Sequence, residues 1–347
     1  MPVATSIKPG PRPTMVDVAR VAGVSVTTVS YVLGGRSGDP TASRISDGTR
    51  RRVLDAVEEI GYRVNEPARN LRRNRTDRVL LLMDRLSSPY EQHLATDIES
   101  RLIETGRSLS VMVCTTVERL DHCLGMVRTG LADGAVVQCR AVAGAQAVLD
   151  AYAREHIAMV AISNVLRPNG FDVISNDEAP AIEEAVDALV AAGHHRLGFL
   201  AHDAVTDLPD SRMEVVRRRL AVHGIDLPDA MVRSGARDRL AAFASTRELL
   251  GLPRPPTALF AASDTGAISA IWAALAAGRR VPEDLAVVGC GNIDECRVTV
   301  PQLSSAGPDR PDFSPIAAML LDRLANPSFA ESRHVHLPWT FFPRQSS

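Results

Sequence analysis

Apolar residues recur at helical spacing twice in quick succession near the start of the chain. Val18, Ala19 and Ala22 line one side of a segment that opens at Thr14 and stops at Gly23. Val29, Val32 and Leu33 do the same in the next segment, which opens at Ser25. That i, i+3, i+4 spacing predicts two short amphipathic helices. Thr14 supplies an N-cap with Asp17 three residues on, in the capping-box position, and Ser25 caps the second helix. A third helix is predicted over 47–60, capped by Ser46, with Val53, Val57 and Ile60 on one face and Gly61 as its stop. A polar stretch rich in Gly, Ser, Arg and Pro, 35–44, separates it from the second.

From Arg78 onward the pattern changes. Short apolar runs at 79–83, 109–114, 134–138, 158–162, 197–201, 258–261 and 285–288 alternate with helical patterns such as 91–105 and 264–277. Strands alternating with helices mean βαβ units, so the fold class is α/β: a three-helix head, then a body with parallel sheets.

Composition narrows the function. At 347 residues the chain is long enough for two or three domains, and 45% apolar residues suffice for cores, although only 4% are aromatic. No apolar run approaches the roughly 18 residues of a membrane span. Residues 1–13 form a Pro-rich leader with no signal-peptide run, so the expected location is the cytoplasm. The five cysteines (114, 123, 139, 290 and 296) are odd in number and lack C-x-x-C spacing, which fits buried free thiols rather than zinc or redox chemistry.

The net charge of −2 hides an asymmetry: residues 1–76 hold thirteen basic against seven acidic residues, and the remainder 26 against 34. A basic head on an acidic body points to a polyanionic partner for the head. Two short helices joined by a Gly-containing turn form a helix-turn-helix, whose second helix offers its N-terminal residues to base edges in the major groove. Those residues are Val26, Thr27, Ser30 and Tyr31; their hydroxyls donate or accept, and their methyls meet thymine methyls.

The pattern Asp17-Val-Ala-x-x-Ala-Gly-Val-Ser25-x-x-Thr28-Val-Ser30-x-Val-Leu33, with Ser46-x-x-Thr49-Arg-x-x-Val53 and Gly61-Tyr62-x-x-Asn65 downstream, resembles the head of the lactose/galactose-repressor (LacI) family of bacterial transcriptional regulators. The resemblance implies DNA contact by Thr14, Ser25, Val26, Thr27, Thr28, Ser30, Tyr31, Ser46 and Thr49. It also implies a hinge helix within 64–76, with Asn65 as its cap, Ala68 and Leu71 on one face, Leu71 as a minor-groove wedge, and Arg69 and Arg72 near phosphates. Two departures stand out: the link over 35–44 is longer than in the family's best-studied member, and Tyr31 stands where a basic residue is often found.

More weakly, the resemblance covers the body through Asp133-Gly134, Gly193-His194-x-Arg196, Pro256-Thr257-Ala258, Val281-Pro282-Glu283-Asp284 and Val287-Val288-Gly289. It implies two periplasmic-binding-protein-like lobes, about 77–175 with 307–336 and about 176–306 with 337–347, crossed three times by the chain. A small-molecule effector, a sugar or another metabolite, would sit between them against Ser88, Tyr90, Ser163, Arg212, Ser263, Asp264, Cys290 and Asn292. Ser163 and Gly291-Asn292 stand where acids are common, and Val215-Val216 replaces a Gly-aromatic pair that often stacks on the ligand. The cleft is thus poor in what a sugar needs.

Enzyme readings find little support. His194-His195 diverge as neighbours and lack a third ligand, Gly289-Cys-Gly291 lacks the third glycine of a dinucleotide loop, and no nucleophile elbow, P-loop or H-E-x-x-H occurs. No cofactor and no metal are expected. Three function classes are weighed: a ligand-responsive repressor, a DNA-binding protein whose body only dimerises, and a small-molecule binding protein or sugar-processing enzyme with an incidental head. The first is favoured, acting as a homodimer on a palindromic operator. No leucine heptads follow Arg344, so no tetramerisation tail is expected.

Overall fold

The computed structural model describes residues 13–34, 45–63, 75–86, 89–138, 142–202, 212–310, 312–326 and 331–347. It divides into two compact units, Met1–Thr76 and Asp77–Ser347. The leader up to residue 12, the 35–44 link, the hinge residues Asn65, Ala68, Arg69, Leu71 and Arg72, the effector candidate Ser88 and Cys139 lie outside the described residues.

In the first unit, α1 (Met15–Ala22), α2 (Val26–Gly34) and α3 (Asp47–Glu59) enclose a small core of Val18, Ala19, Ala22, Val29, Val32, Val53, Ala56 and Tyr62. α1 ends because Gly23 takes the left-handed conformation (φ 65°). α2 then departs at a bend of 104°, within the range of helix-turn-helix units. Leu33, Val57 and Ile60 pack at the margin of that core.

The second unit holds two six-stranded sheets. The first lobe contains β1 (Arg78–Met83), α4 (Pro89–Ile103), β2 (Ser108–Val113), α5 (Val117–Arg128), β3 (Gly134–Gln138), α6 (Ala145–Arg154), β4 (Ala158–Ile162) and β5 (Asp172–Asp177). The second lobe contains α7 (Ala179–Ala191), β6 (Leu197–Leu200), α8 (Arg212–Val222), β7 (Val232–Arg233), α9 (Arg239–Leu250), β8 (Ala258–Ala261), α10 (Asp264–Ala276), β9 (Ala286–Cys290) and β10 (Ser304–Gly307). The chain returns to the first lobe for α11 (Ser314–Ala325) and β11 (His334–Pro338), and ends in the second with β12 (Thr340–Phe342).

The first sheet runs β11-β5-β4-β3-β1-β2, all parallel. The second runs β12-β10-β9-β8-β6-β7, parallel except for the β10–β12 pair. Helices cover both faces, so central strands read as unbroken apolar runs. Along β1 the side chains alternate: Leu80 and Leu82 enter the core under α5 and α6, while Val79, Leu81 and Met83 enter the core under α4 and α11.

The seven strands expected from apolar runs are all present, with ends displaced by at most two residues. Five others carry no such run. β10 is Ser-Ser-Ala-Gly, and it is buried because β9 and β12 flank it. β11 is an edge strand whose His334 and His336 point outward, both within hydrogen-bond distance of the Ser175 hydroxyl. The three crossings fall near 178, near 308–313 and at 339. The first lobe is bound to its late-arriving pieces by Asp172. Its carboxylate, fully buried, accepts from Arg323 on α11 (2.6 Å) and from Arg333 just before β11 (2.7 and 3.0 Å).

Candidate DNA-reading helix and ligand cleft

In the head, the predicted contact residues fall into two groups. Thr14, Ser25 and Ser46 are helix caps. Thr14 and Asp17 form a reciprocal capping box: the Asp17 amide donates to the Thr14 hydroxyl (3.4 Å), and the Thr14 amide donates to the Asp17 carboxylate (2.9 Å). The bonds that the carboxylate accepts from the Thr14 amide, from the Thr14 hydroxyl (2.8 Å) and from Arg20 hold the Asp17 pKa below its ordinary value. Ser25 accepts from the Thr28 amide (3.1 Å) and Ser46 from the Thr49 amide (3.3 Å). Each serine hydroxyl also pairs with the matching threonine hydroxyl, at 2.8 and 3.0 Å. Five of the hydroxyls expected to meet DNA, those of Thr14, Ser25, Thr28, Ser46 and Thr49, are therefore already engaged in ordering helix starts. The second group lies on α2: Val26 and Thr27 are exposed, and Ser30 and Tyr31 are half-buried beside the inward-facing Val29 and Val32.

In the body, a cavity of about 660 Å³, counted out to its open mouth, opens between the lobes. Its walls come from the carboxyl ends of parallel strands, where open α/β sheets place their ligands. Of the predicted residues, Tyr90, Arg212, Ser263, Asp264 and Cys290 line it. Ser163 and Asn292 do not. The Ser163 hydroxyl accepts from the Val165 and Leu166 amides, both at 3.2 Å, and so closes the turn after β4. Asn292 donates to the Pro308 carbonyl (2.8 Å) and accepts from Arg344 (2.5 Å), which holds the C-terminal segment in place.

Arg212 is largely buried, its side chain 11% exposed, and its guanidinium grips Glu178 through Nε (2.5 Å) and Nη2 (2.8 Å), donates to the Ala262 carbonyl (2.5 Å) and lies 4.7 Å over the Trp339 ring. Burial opposes its charge, but Glu178 more than offsets this and raises its pKa. Glu178 follows β5 and Trp339 follows β11, so one side chain ties two of the three crossings to the second lobe.

Asp264 is fully buried; one oxygen accepts from the Ser305 hydroxyl (2.6 Å) and the other from the Ile293 amide (3.0 Å). Burial still pushes its pKa upward. Gly289 and Gly291 exist to make room for it: a Cβ at Gly289 would run into the Asp264 carboxylate, and one at Gly291 would stand 3.0 Å from it. That is the physical reason for the Gly-Cys-Gly triplet. Burial likewise raises the pKa of the Cys290 thiol. Ser263 caps α10, accepting from the Gly266 amide (3.1 Å), and donates to the Ala236 carbonyl (2.5 Å).

Sequence reasoning missed Asp84, Arg85, Glu91, His202, Arg237 and Trp339, which also line the cavity. Position was the available signal, because Asp84 and Trp339 directly follow strands. Asp84 of the first lobe faces Arg237 of the second at 3.8 Å. Val215 and Val216 belong to the second lobe's core. The aromatic faces in the cavity are Tyr90 and Trp339 instead. His194 bonds to Thr257 (3.1 Å), and among the described residues no cluster of three or more His, Cys, Asp or Glu could hold a metal.

Residues 14–65 match the model for bacterial regulatory proteins of the lacI family, and residues 186–347 match a periplasmic binding protein-like domain. The chain is 26% identical to catabolite control protein A of Priestia megaterium over 338 residues, covering 96% of this chain and 99% of that protein. It is 28% identical to the HTH-type transcriptional repressor CytR of Escherichia coli strain K12, over 89% of this chain and 88% of that one. Its fold matches that of the lac repressor dimer bound to operator with a TM-score of 0.80, at 23% identity over 97% of this chain and 99% of that one. The chain thus joins a segment that matches the lacI-family head to a segment that matches a periplasmic binding protein-like domain, and over most of its length it is similar to regulators such as catabolite control protein A and CytR.

Proposed function

We propose that this protein is a transcriptional repressor that binds a near-palindromic operator as a homodimer in the cytoplasm and responds to a small molecule held between the lobes of its body. The observation that carries this is the second helix of the head. Its start is ordered by Ser25, its inner face is spent on the core through Val29 and Val32, and Val26 and Thr27 remain outward. Thr27, Ser30 and Tyr31 read base edges, while the 14–63 head as a whole sets affinity through its basic charge. Asn65, Ala68, Arg69, Leu71 and Arg72 act as the hinge that follows the head, with Leu71 as the minor-groove wedge. Pairing of two bodies is supported by large apolar side chains left exposed on β2 (Val111, Val113) and on α9 and α10 (Leu240, Trp272, Leu275). Bound ligand alters the relation between the lobes and thereby the hinge.

Selection from random-sequence duplexes tests the reading. It should return a near-palindrome, bound with a steep loss of affinity as salt rises. Thr27→Ala should relax preference at one or two base pairs by about 1–3 kcal/mol each. Failure to enrich any sequence would remove the regulator assignment.

A further inference from the structure

Two cysteine thiols meet inside the first lobe. Cys114 directly follows β2, and Cys123 lies in the middle of α5. They are nine positions apart in sequence, a spacing that gives no sign of a pair. The start of α5 falls between them, opened by the Thr116 cap, whose hydroxyl accepts from the Arg119 amide (3.3 Å). Helical side chains lean toward the helix start. Cys123 therefore reaches back over the first turns of α5, and its sulfur lies 3.4 Å from that of Cys114. Both residues are fully buried, in the core that also holds Leu80, Leu82, Leu120 and Leu124. Packing alone does not call for two thiols there, since any small apolar residue fills such a place.

A disulfide holds its sulfurs roughly 2.05 Å apart, so the two must close by about 1.4 Å from their 3.4 Å contact. The surroundings permit that movement. β2 stands at the edge of its sheet, next to β1, and an edge opens locally more readily than a central strand. Such opening also admits a small oxidant to the buried thiols. The end of the β1–β2 ladder is fixed by the Cys114 amide, which donates to the Met83 carbonyl (2.7 Å). The residue after Met83 is Asp84, in the wall of the cleft. Drawing Cys114 toward α5 pulls on that last rung.

We infer that Cys114 and Cys123 form an oxidation site, at which a peroxide joins the two thiols in a disulfide. One sulfur, as thiolate, attacks a peroxide oxygen; the O–O bond breaks, a sulfenic acid forms and hydroxide leaves. The second sulfur attacks the first, the S–S bond forms and the sulfenic oxygen departs as water. The cysteines give up two electrons and two protons, and hydrogen peroxide becomes two waters. A dithiol reductant reverses the step by thiol–disulfide exchange. In a reducing cytoplasm such a bridge is transient and acts as a redox sensor.

The test treats the full, freshly reduced chain with hydrogen peroxide, alkylates the remaining thiols, and maps tryptic peptides without reductant. Cleavage at Arg107, Arg119 and Arg128 puts the two cysteines on separate peptides, 108–119 and 120–128. These should appear as one linked species, lighter than their sum by two hydrogens, and a dithiol should part them. Cys114→Ser and Cys123→Ser should each abolish the species and leave the remaining thiol to run on to sulfenic and sulfinic acid. Melting curves show whether each variant is folded, and alanine, small and apolar, replaces serine where it is not. In the oxidised chain the Cys114 amide should exchange its hydrogen several-fold faster, because its bond to Met83 is strained. Full alkylation of both cysteines after peroxide, or a bridge through a different cysteine, overturns the site. Unchanged exchange at Cys114 overturns its reach to the cleft.

Discussion

Replacing Asp172 with alanine removes the acid that joins β5, α11 and the start of β11. The carboxylate has no solvent exposure, Arg323 is 6% exposed at its side chain and Arg333 29%. Breaking a buried ion pair by deleting one partner costs about 3–5 kcal/mol. The lower end applies here, because Arg323 keeps the Gly170 and Glu331 carbonyls and Arg333 keeps Asp322 and the Met319 carbonyl. A loss of about 3 kcal/mol in a body of this size lowers Tm by roughly 6–12 °C. Asp172→Leu combined with Arg323→Met should recover part of the loss, since it removes the stranded charge as well.

The pH profile gives a second readout. Burial alone would raise the Asp172 pKa, but the bonds from Arg323 and Arg333 outweigh it and hold the pKa below its ordinary value. A depressed carboxylate contributes its full stabilisation above the unfolded pKa of about 4 and loses it as pH falls through the folded value. The gap in Tm between wild type and Asp172→Asn should be flat from about pH 5 to 8 and shrink below pH 4. Calorimetric melts across pH measure both effects. A Tm loss under about 2 °C for Asp172→Ala, or a double variant as unstable as the single, would refute the account.

Gly289→Ala should cost about 1–3 kcal/mol in urea melts, because its Cβ meets the Asp264 carboxylate and stands 3.0 Å from the Ala267 Cβ; with Asp264→Ala the two losses should fall short of additive. Ser46→Ala should destabilise the head by about 1 kcal/mol and speed hydrogen exchange at the Thr49 amide it caps, and unchanged exchange would argue against the cap. Trp272→Glu, at a site 49% exposed on α10, should shift the protein towards monomer in sedimentation and weaken the dependence of its melting temperature on protein concentration; a dimer of undiminished strength would place the interface elsewhere.

Periodicity exposed the head because every local rule agrees there. Thr14, Ser25 and Ser46 cap, Gly23 turns, and the inward positions of α1 and α2 fall at helical spacing. Central strands such as β1 were equally plain, being apolar on both faces. β10 and β11 were hidden, since their place is set by neighbours distant in sequence rather than by apolar content. The cleft was half legible. Arg212 and Asp264 were expected there, but their polar atoms turn out to serve the framework. Asp84 and Arg237 look in sequence like solvated loop ends, and only the folding of two lobes brings them face to face. Ser163 and Asn292 show the converse, polar residues near strand ends whose bonds are spent on turns and on the C-terminal segment.

The path of the chain through the body bears on its birth. The first lobe needs α11 and β11, which are made after almost all of the second, and the second needs β12, made last. On a ribosome adding about 5–20 residues per second, a 63-residue head has its whole core well before either lobe has all its strands. Both sheets then complete within a few residues of each other, after residue 333 has been added. Until then the first lobe exposes the β5 edge and the sheet face that α11 will cover, and the second exposes the β10 edge, so the interval before β11 and β12 are made is when the nascent body is most open to misassociation.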